Sequence, residues 1–161
     1  QQDDVAVAEP LLKRLLERGR TAERNLAAYY LARIADDRGD NAGALSLYLR
    51  VEPGEHYPAA QIRAAALRFA DSGDPAEAIA RLKRAALDHP AGADQFLVAE
   101  ARLLRDAGKS GEAMALFERI VASQPEQADV LYDMALLAEK LGRMEVVESN
   151  LRRVIALRPD N

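Results

Sequence analysis

Two histidines and a few adjacent acids are the residues whose types and spacing come nearest to catalytic or metal-binding chemistry. In Glu55-His56-Tyr57 a carboxylate, an imidazole and a phenol stand side by side, and such a trio can shuttle a proton or begin a metal shell. A metal centre, however, needs three or four ligands. One His and one Glu fall short, so the segment reads as a structural loop. His89 stands just before Pro90 at the expected end of a helix, where an imidazole suits the helix dipole. Asp36-Asp37 falls at the end of another helix and reads as solvated surface, since a glycosidase-type acid pair would need a sheltered cleft. No phosphate-cradling glycine loop, nucleophile elbow or HExxH helix occurs. The chain has no cysteine, which excludes disulfides, thiolate zinc sites and thiol catalysis within it. The expectation is therefore a chain with no catalytic residue, no cofactor and no metal: not an enzyme.

What remains is the scaffold. The apolar half of the 161 residues is mostly Ala and Leu, with few aromatics, a composition that favours close-packed helices over sheets. Net charge is −4 and both signs are interspersed, as on solvated helix faces. No basic block marks a nucleic-acid footprint. No apolar run reaches the roughly 20 residues that span a bilayer. The chain opens on Gln1 and stops within Arg158-Pro159-Asp160-Asn161, and it reads as a piece of something longer.

A repeat of about 34 residues organises the chain. Gly39, Gly73, Gly108 and Gly142 set the register. Seven residues before each stands Ala32, Ala66, Ala101 or Ala135, and five after stands Ala44, Ala78, Ala113 or Val147. Nine after stands Tyr48, Leu82, Phe117 or Leu151, and twelve after stands Val51, Ala85, Ile120 or Val154. Pro90, Pro125 and Pro159 follow three of the four units. Each column has a physical task. The glycine closes a first helix in the left-handed region at no Cβ cost. The small residues let a second helix approach, and the bulky one fills the space between them. Spacings of three and four put these residues on one helix face. Proline ends the second helix. Asp74-Pro75-Ala76-Glu77 predicts a sharp helix start, with Asp74 capping, Pro75 at the first helical position and Glu77 completing a capping box.

The predicted helix pairs are 25–37 with 41–51, 59–71 with 75–88, 94–106 with 110–123, and 128–140 with 144–157. A further helix over 5–18, with Pro10 in its first turns, is expected to be half of a preceding repeat. The organisation is thus an N-terminal helix in 1–24, then repeats over 25–58, 59–93, 94–127 and 128–161.

These Ala–Gly–Ala–aromatic–Pro columns resemble the tetratricopeptide repeat (TPR) family over residues 25–161. The chain departs from the pattern in its first unit, where the loop Glu52–Pro58 stands in place of the helix end, and by one extra residue within 91–93. The resemblance implies an all-α, right-handed α-solenoid whose first helices line a concave groove that binds a protein or peptide partner. The residues placed on that groove are Tyr29, Arg33, Arg63, Leu67, Val98, Arg102, Arg105, Tyr132 and Leu136; spacing serves equally well for packing between repeats. The Lys and Asn clamp for a carboxyl terminus found in one branch of the family is not matched, because Tyr29, Arg33, Ala64 and Ala99 occupy the relevant stretches.

The segments Val51–Tyr57 with Ala60–Arg63, Leu131–Glu139 and Leu151–Pro159 are similar to those of proteobacterial envelope TPR lipoproteins. That likeness implies a lipid-anchored location on the periplasmic side of the outer membrane. It also implies an adaptor role, recruiting a carboxyl-terminal processing protease or its substrates. A cytoplasmic scaffold, or a helical accessory region of an enzyme, are the alternatives. The last helix carries Val146, Val147, Leu151, Val154, Ile155 and Leu157 with no helix after it, and self-association through this face is expected.

Overall fold

The computed structural model describes residues 2–159, with side chains from residue 7 onward. Among them are nine α-helices, one short 3₁₀ turn and no strand. They are α1 (Gln2–Arg18), α2 (Thr21–Asp37), α3 (Asn41–Tyr48), α4 (Tyr57–Ser72) and α5 (Pro75–Asp88). The turn Pro90–Gly92 follows, and then α6 (Ala93–Asp106), α7 (Ser110–Ser123), α8 (Ala128–Lys140) and α9 (Met144–Leu157).

The four register glycines have φ between +69° and +78°, and no other described residue has positive φ. This is the left-handed turn predicted for them, and a side chain there would be strained. Three boundaries differ from the sequence reading by three residues or more. α2 starts at Thr21, because the Arg20 N–H donates to the Glu23 carboxylate at 2.7 Å and opens the helix four residues early. α3 stops at Tyr48, three residues short, and the chain turns away into the loop through Glu52. In α1, Pro10 sits mid-helix rather than in the first turns, since the helix already runs from Gln2. At Asp74 the cap forms onto the Ala76 N–H at 2.9 Å, but the capping box does not. Ser72 Oγ takes the Asp74 N–H, and Glu77 instead lies 3.3 Å from Arg68.

The chain divides into two compact units, Gln1–Ala93 and Asp94–Asn161. In the first, α1 packs on α2, α2 on α3, α3 on α4 and α4 on α5. Its core is made of small residues, among them Ala32, Ala44, Ala60, Ala64 and Ala78, with Tyr48 and Leu82 between them. Ala-rich seams permit close helix approach, and each bulky residue then fills the remaining volume. In the second unit α7 packs on α8 and α8 on α9, around Phe117, Ile120, Leu131 and Leu137. Phe117 is completely buried, a contribution of about 2–3 kcal/mol. The alanine column before the glycine is buried at Ala32, Ala101 and Ala135 but only half-buried at Ala66.

Candidate partner-binding faces

In the first unit the predicted residues lie on α2 and α4, and the loop between α3 and α4 completes their surroundings. Tyr29 is half-buried in an aromatic cluster. His56 from the loop stacks on it in parallel, with ring centroids 4.7 Å apart, and Tyr30 and Tyr48 pack around it at 5.4 and 6.2 Å. Tyr30 is exposed, and the Arg33 guanidinium lies 5.8 Å from its ring centre, a cation–π arrangement. Asn25, one turn before Tyr29, anchors the loop. Its side-chain N–H donates to the Glu52 carbonyl and its oxygen accepts the Glu52 N–H, both at 3.1 Å. The loop and the start of α2 line an open cleft of about 570 Å³ whose walls include Leu26, Pro53 and His56. His56 thus packs as part of the loop's seat.

Arg63 does not extend freely from α4. Its Nη2 donates to the Asp36 carboxylate on α2 at 2.7 Å, and Tyr48 donates to the same carboxylate at 3.4 Å. The reading of Asp36 as solvated surface is therefore corrected: its side chain is 12% exposed and joins two first helices. The Arg63 hydrogen bond holds the Asp36 pKa below the ordinary aspartate value, against the opposing effect of burial. Leu67 is buried in the helix packing and is unavailable to a partner.

In the second unit Arg102 and Arg105, one turn apart on α6, both reach Asp133 on α8, each at 2.6 Å. Arg105 also donates to Asp106 at 2.9 Å. Val98 is half-buried. Tyr132 and Leu136 lie one turn apart on α8 and are 50% and 38% exposed. The predicted set thus separates into four kinds: Tyr30's neighbour Arg33, with Tyr132 and Leu136, is open to solvent; Arg63, Arg102 and Arg105 are tied to carboxylates; Tyr29 and Val98 are half-buried; Leu67 is core.

Sequence reasoning did not find Asn25, Tyr30, Asp36 or Asp133. A signal for the carboxylates was present in the register. Asp36 and Arg105 each stand three residues before a register glycine, and their partners Arg63 and Asp133 stand ten and nine before the next. A charge near the end of one first helix meets its opposite near the middle of the next.

Paired helices closed by left-handed glycines, with Ala seams and inter-repeat ion pairs, define an α-solenoid built for surface presentation. Family models described as tetratricopeptide repeat match residues 1–59 and 69–130, about three quarters of the chain. The chain belongs to the tetratricopeptide repeat family. A TPR repeat-containing protein of Pseudomonas aeruginosa is 33% identical over 135 residues, which is 84% of this chain, and the chain spans 23% of that relative's length. The fold is similar to that of YrrB, a TPR protein described as having an unusual peptide-binding site, with a TM-score of 0.62 and 17% identity over 99% of this chain and 80% of that one. It is also similar to that of MamA, with a TM-score of 0.57 and 16% identity over 86% of this chain and 75% of that one. No described helix is long and apolar enough to cross a membrane.

Proposed function

We propose that the chain is a non-catalytic scaffold that binds a partner polypeptide through its first-helix faces. The observation that carries this reading is the exposure of Tyr30, Arg33, Tyr132 and Leu136 on α2 and α8, beside arginines whose direction is fixed by Asp36 and Asp133. Tyrosine gives large contact area at low entropic cost, arginine adds charge and planar hydrogen-bonding capacity, and both are enriched among the residues that dominate protein interfaces. The description of YrrB as a peptide-binding TPR protein agrees with this reading. We further read the chain as part of an envelope adaptor, lipid-anchored through a segment outside these residues, that brings a periplasmic processing protease to its substrates. This finer reading rests on the likeness of Val51–Tyr57 and Leu151–Pro159 to envelope TPR lipoproteins.

The structure changes the choice of test. Arg63→Glu or Arg102→Glu would set a second negative charge against Asp36 or Asp133 and disturb packing as well as binding. Arg33→Glu and Tyr132→Ala leave the ion pairs intact. The immobilised chain is exposed to separate periplasmic and cytosolic extracts, and bound proteins are quantified by mass spectrometry. Partners enriched from the periplasmic fraction and lost about tenfold in both variants support the proposal. Partners retained equally by wild type and both variants would remove the first-helix assignment, and enrichment from the cytosolic fraction alone would remove the envelope role.

A further inference from the structure

The first unit carries a wall that the other repeats lack. Residues 49–56 join α3 to α4, whereas 89–92 and 124–127 suffice at the two later junctions between repeats. The longer loop faces the start of α2 across the open cleft of about 570 Å³. Ala22 and Leu26 on the helix side and Pro53 on the loop side make it apolar, and Glu23 and Glu55 are its carboxylates. Its shape is set in advance, because Asn25 holds both backbone groups of Glu52 and His56 stacks on Tyr29. A cleft preorganised in this way binds without the cost of ordering a loop.

From the cleft an open stripe continues along α2. Tyr30 and Arg33 follow Leu26 by one and two turns on the same helix face, and all three are exposed. Arg33 differs from the other arginines predicted for the groove. Arg63, Arg102 and Arg105 are each held by a carboxylate, whereas Arg33 has no acidic partner among the described residues and meets only the Tyr30 ring. Leu26 and Arg33 stand thirteen and six residues before Gly39. The same columns are open at Asp129 and Leu136 of α8, which has α6 and α7 before it in its own unit, and they close in α4 at Ala60 and Leu67. Standing first in the array is therefore not what opens them.

We infer that this face takes an extended segment of the partner polypeptide, with an apolar side chain in the cleft and, three residues away, a carboxylate on Arg33. The inference rests on the first-helix reading above and narrows it to one partner chemistry. Leu26 and Arg33 are about 10 Å apart along the helix axis. A polyproline II segment advances about 9 Å in three residues and returns its side chains to the same face. A β-strand returns them after two or four residues, at about 7 or 13 Å, and fits less well. The Arg33 guanidinium can take the carboxylate bidentately. Glu55, without an ion pair among the described residues, repels an acid placed beside the apolar anchor and so fixes the order of the two groups.

The probe is a rhodamine-labelled, amidated peptide, Pro-Pro-Leu-Pro-Pro-Asp-Pro-Pro, whose prolines hold the polyproline II conformation. Binding to the full chain is followed by fluorescence anisotropy. Saturation with a Kd on the order of 100 µM is expected. Leu26→Glu and Arg33→Glu should each weaken it about tenfold. Lysine in place of the peptide's aspartate should recover most of the loss on the Arg33→Glu chain. A peptide of the same composition with aspartate next to leucine should bind about fivefold more weakly. Circular dichroism checks folding, and if Leu26→Glu loses helix signal, Leu26→Ala with an expected loss of about threefold reads the cleft instead. Absence of saturation up to about 1 mM would overturn the inference, as would equal affinity for the two spacings. So would a concentration-dependent dimer in sedimentation equilibrium that Leu26→Glu abolishes, by giving the cleft to a second copy. Partners captured from extracts and lost in Arg33→Glu, with no peptide binding, would sink this inference and leave the first-helix reading standing. Partners retained by both Arg33→Glu and Tyr132→Ala would sink the two together.

Discussion

Arg105 and Arg102 share one carboxylate: Asp133 receives the Nη1 of the first on one oxygen and the Nε of the second on the other, each at 2.6 Å. The carboxylate is 13% exposed, whereas Arg102 is 44% exposed and Arg105 21%. Removing the acid leaves two guanidiniums side by side in a partly dry site, so the loss exceeds that of a surface pair. Asp133→Asn is expected to destabilise the chain by about 1–2 kcal/mol. Urea denaturation reads this as a lower midpoint, and the effect should shrink when Arg105→Met is already present. Equal losses in both backgrounds would show that the pair is not energetically coupled.

Stability should fall on both sides of a neutral plateau, for opposite reasons. Lys13 and Arg38 hydrogen-bond Glu9 and hold its pKa at about 2 instead of 4.5, and Arg63 lowers that of Asp36. A carboxyl depressed in the folded state binds fewer protons there than when unfolded. Its stabilisation is complete above its ordinary pKa and is lost as pH falls through the folded value. Tyr48 behaves in the reverse sense. Burial first, then Asp36, pushes its pKa from 10.0 to about 12, so its stabilisation is complete below the ordinary value and is lost as pH rises toward the folded one. Urea midpoints measured across pH should show both limbs. Arg63→Met should flatten the acid limb, and Tyr48→Phe the alkaline limb. Limbs unchanged by these substitutions would detach the pH dependence from these groups.

The helix pairs were legible because their punctuation is local. Gly73 needs a left-handed turn and Pro75 an N-terminal position, and both demands are met within a few residues of chain. The ion pairs were not legible in this way. Arg63 and Asp36 are 27 residues apart, and their meeting depends on how α4 lies across α2. Spacing placed Arg63, Arg102 and Arg105 on the first helices but carried no information about the acids opposite. For the same reason it placed Leu67 beside Arg63 without showing that α4 turns Leu67 into the packing. Cap competition was also hidden, because Ser72 displaced Glu77 at the Asp74 N–H through a contact that the acid spacing does not encode.

Asn25 should govern the order of the α3–α4 loop. It satisfies both backbone groups of Glu52, and Tyr29 then receives the His56 ring. Asn25→Asp keeps the acceptor but loses the donor, and turns a carboxylate oxygen toward the Glu52 carbonyl. A cost of about 1–3 kcal/mol is expected. Hydrogen exchange should accelerate most at the Glu52 amide and around His56, while α5 amides change little. Uniform acceleration across the first unit would instead mark Asn25 as part of the general core.

Two glycine substitutions should have opposite signs. Gly142 closes α8 with φ +69°, and no atom lies within 4 Å of the Cβ that alanine would add. The space is open, so the cost of Gly142→Ala is conformational alone, about 1–2 kcal/mol. Gly111 is the second residue of α7, also with nothing within 4 Å, and its backbone is helical. There alanine restricts the unfolded chain without straining the folded one, and Gly111→Ala should stabilise by about 0.4–1 kcal/mol. Thermal unfolding of both variants under one condition checks the contrast. The same sign for both would mean that the left-handed turn after α8 is not what Gly142 is needed for.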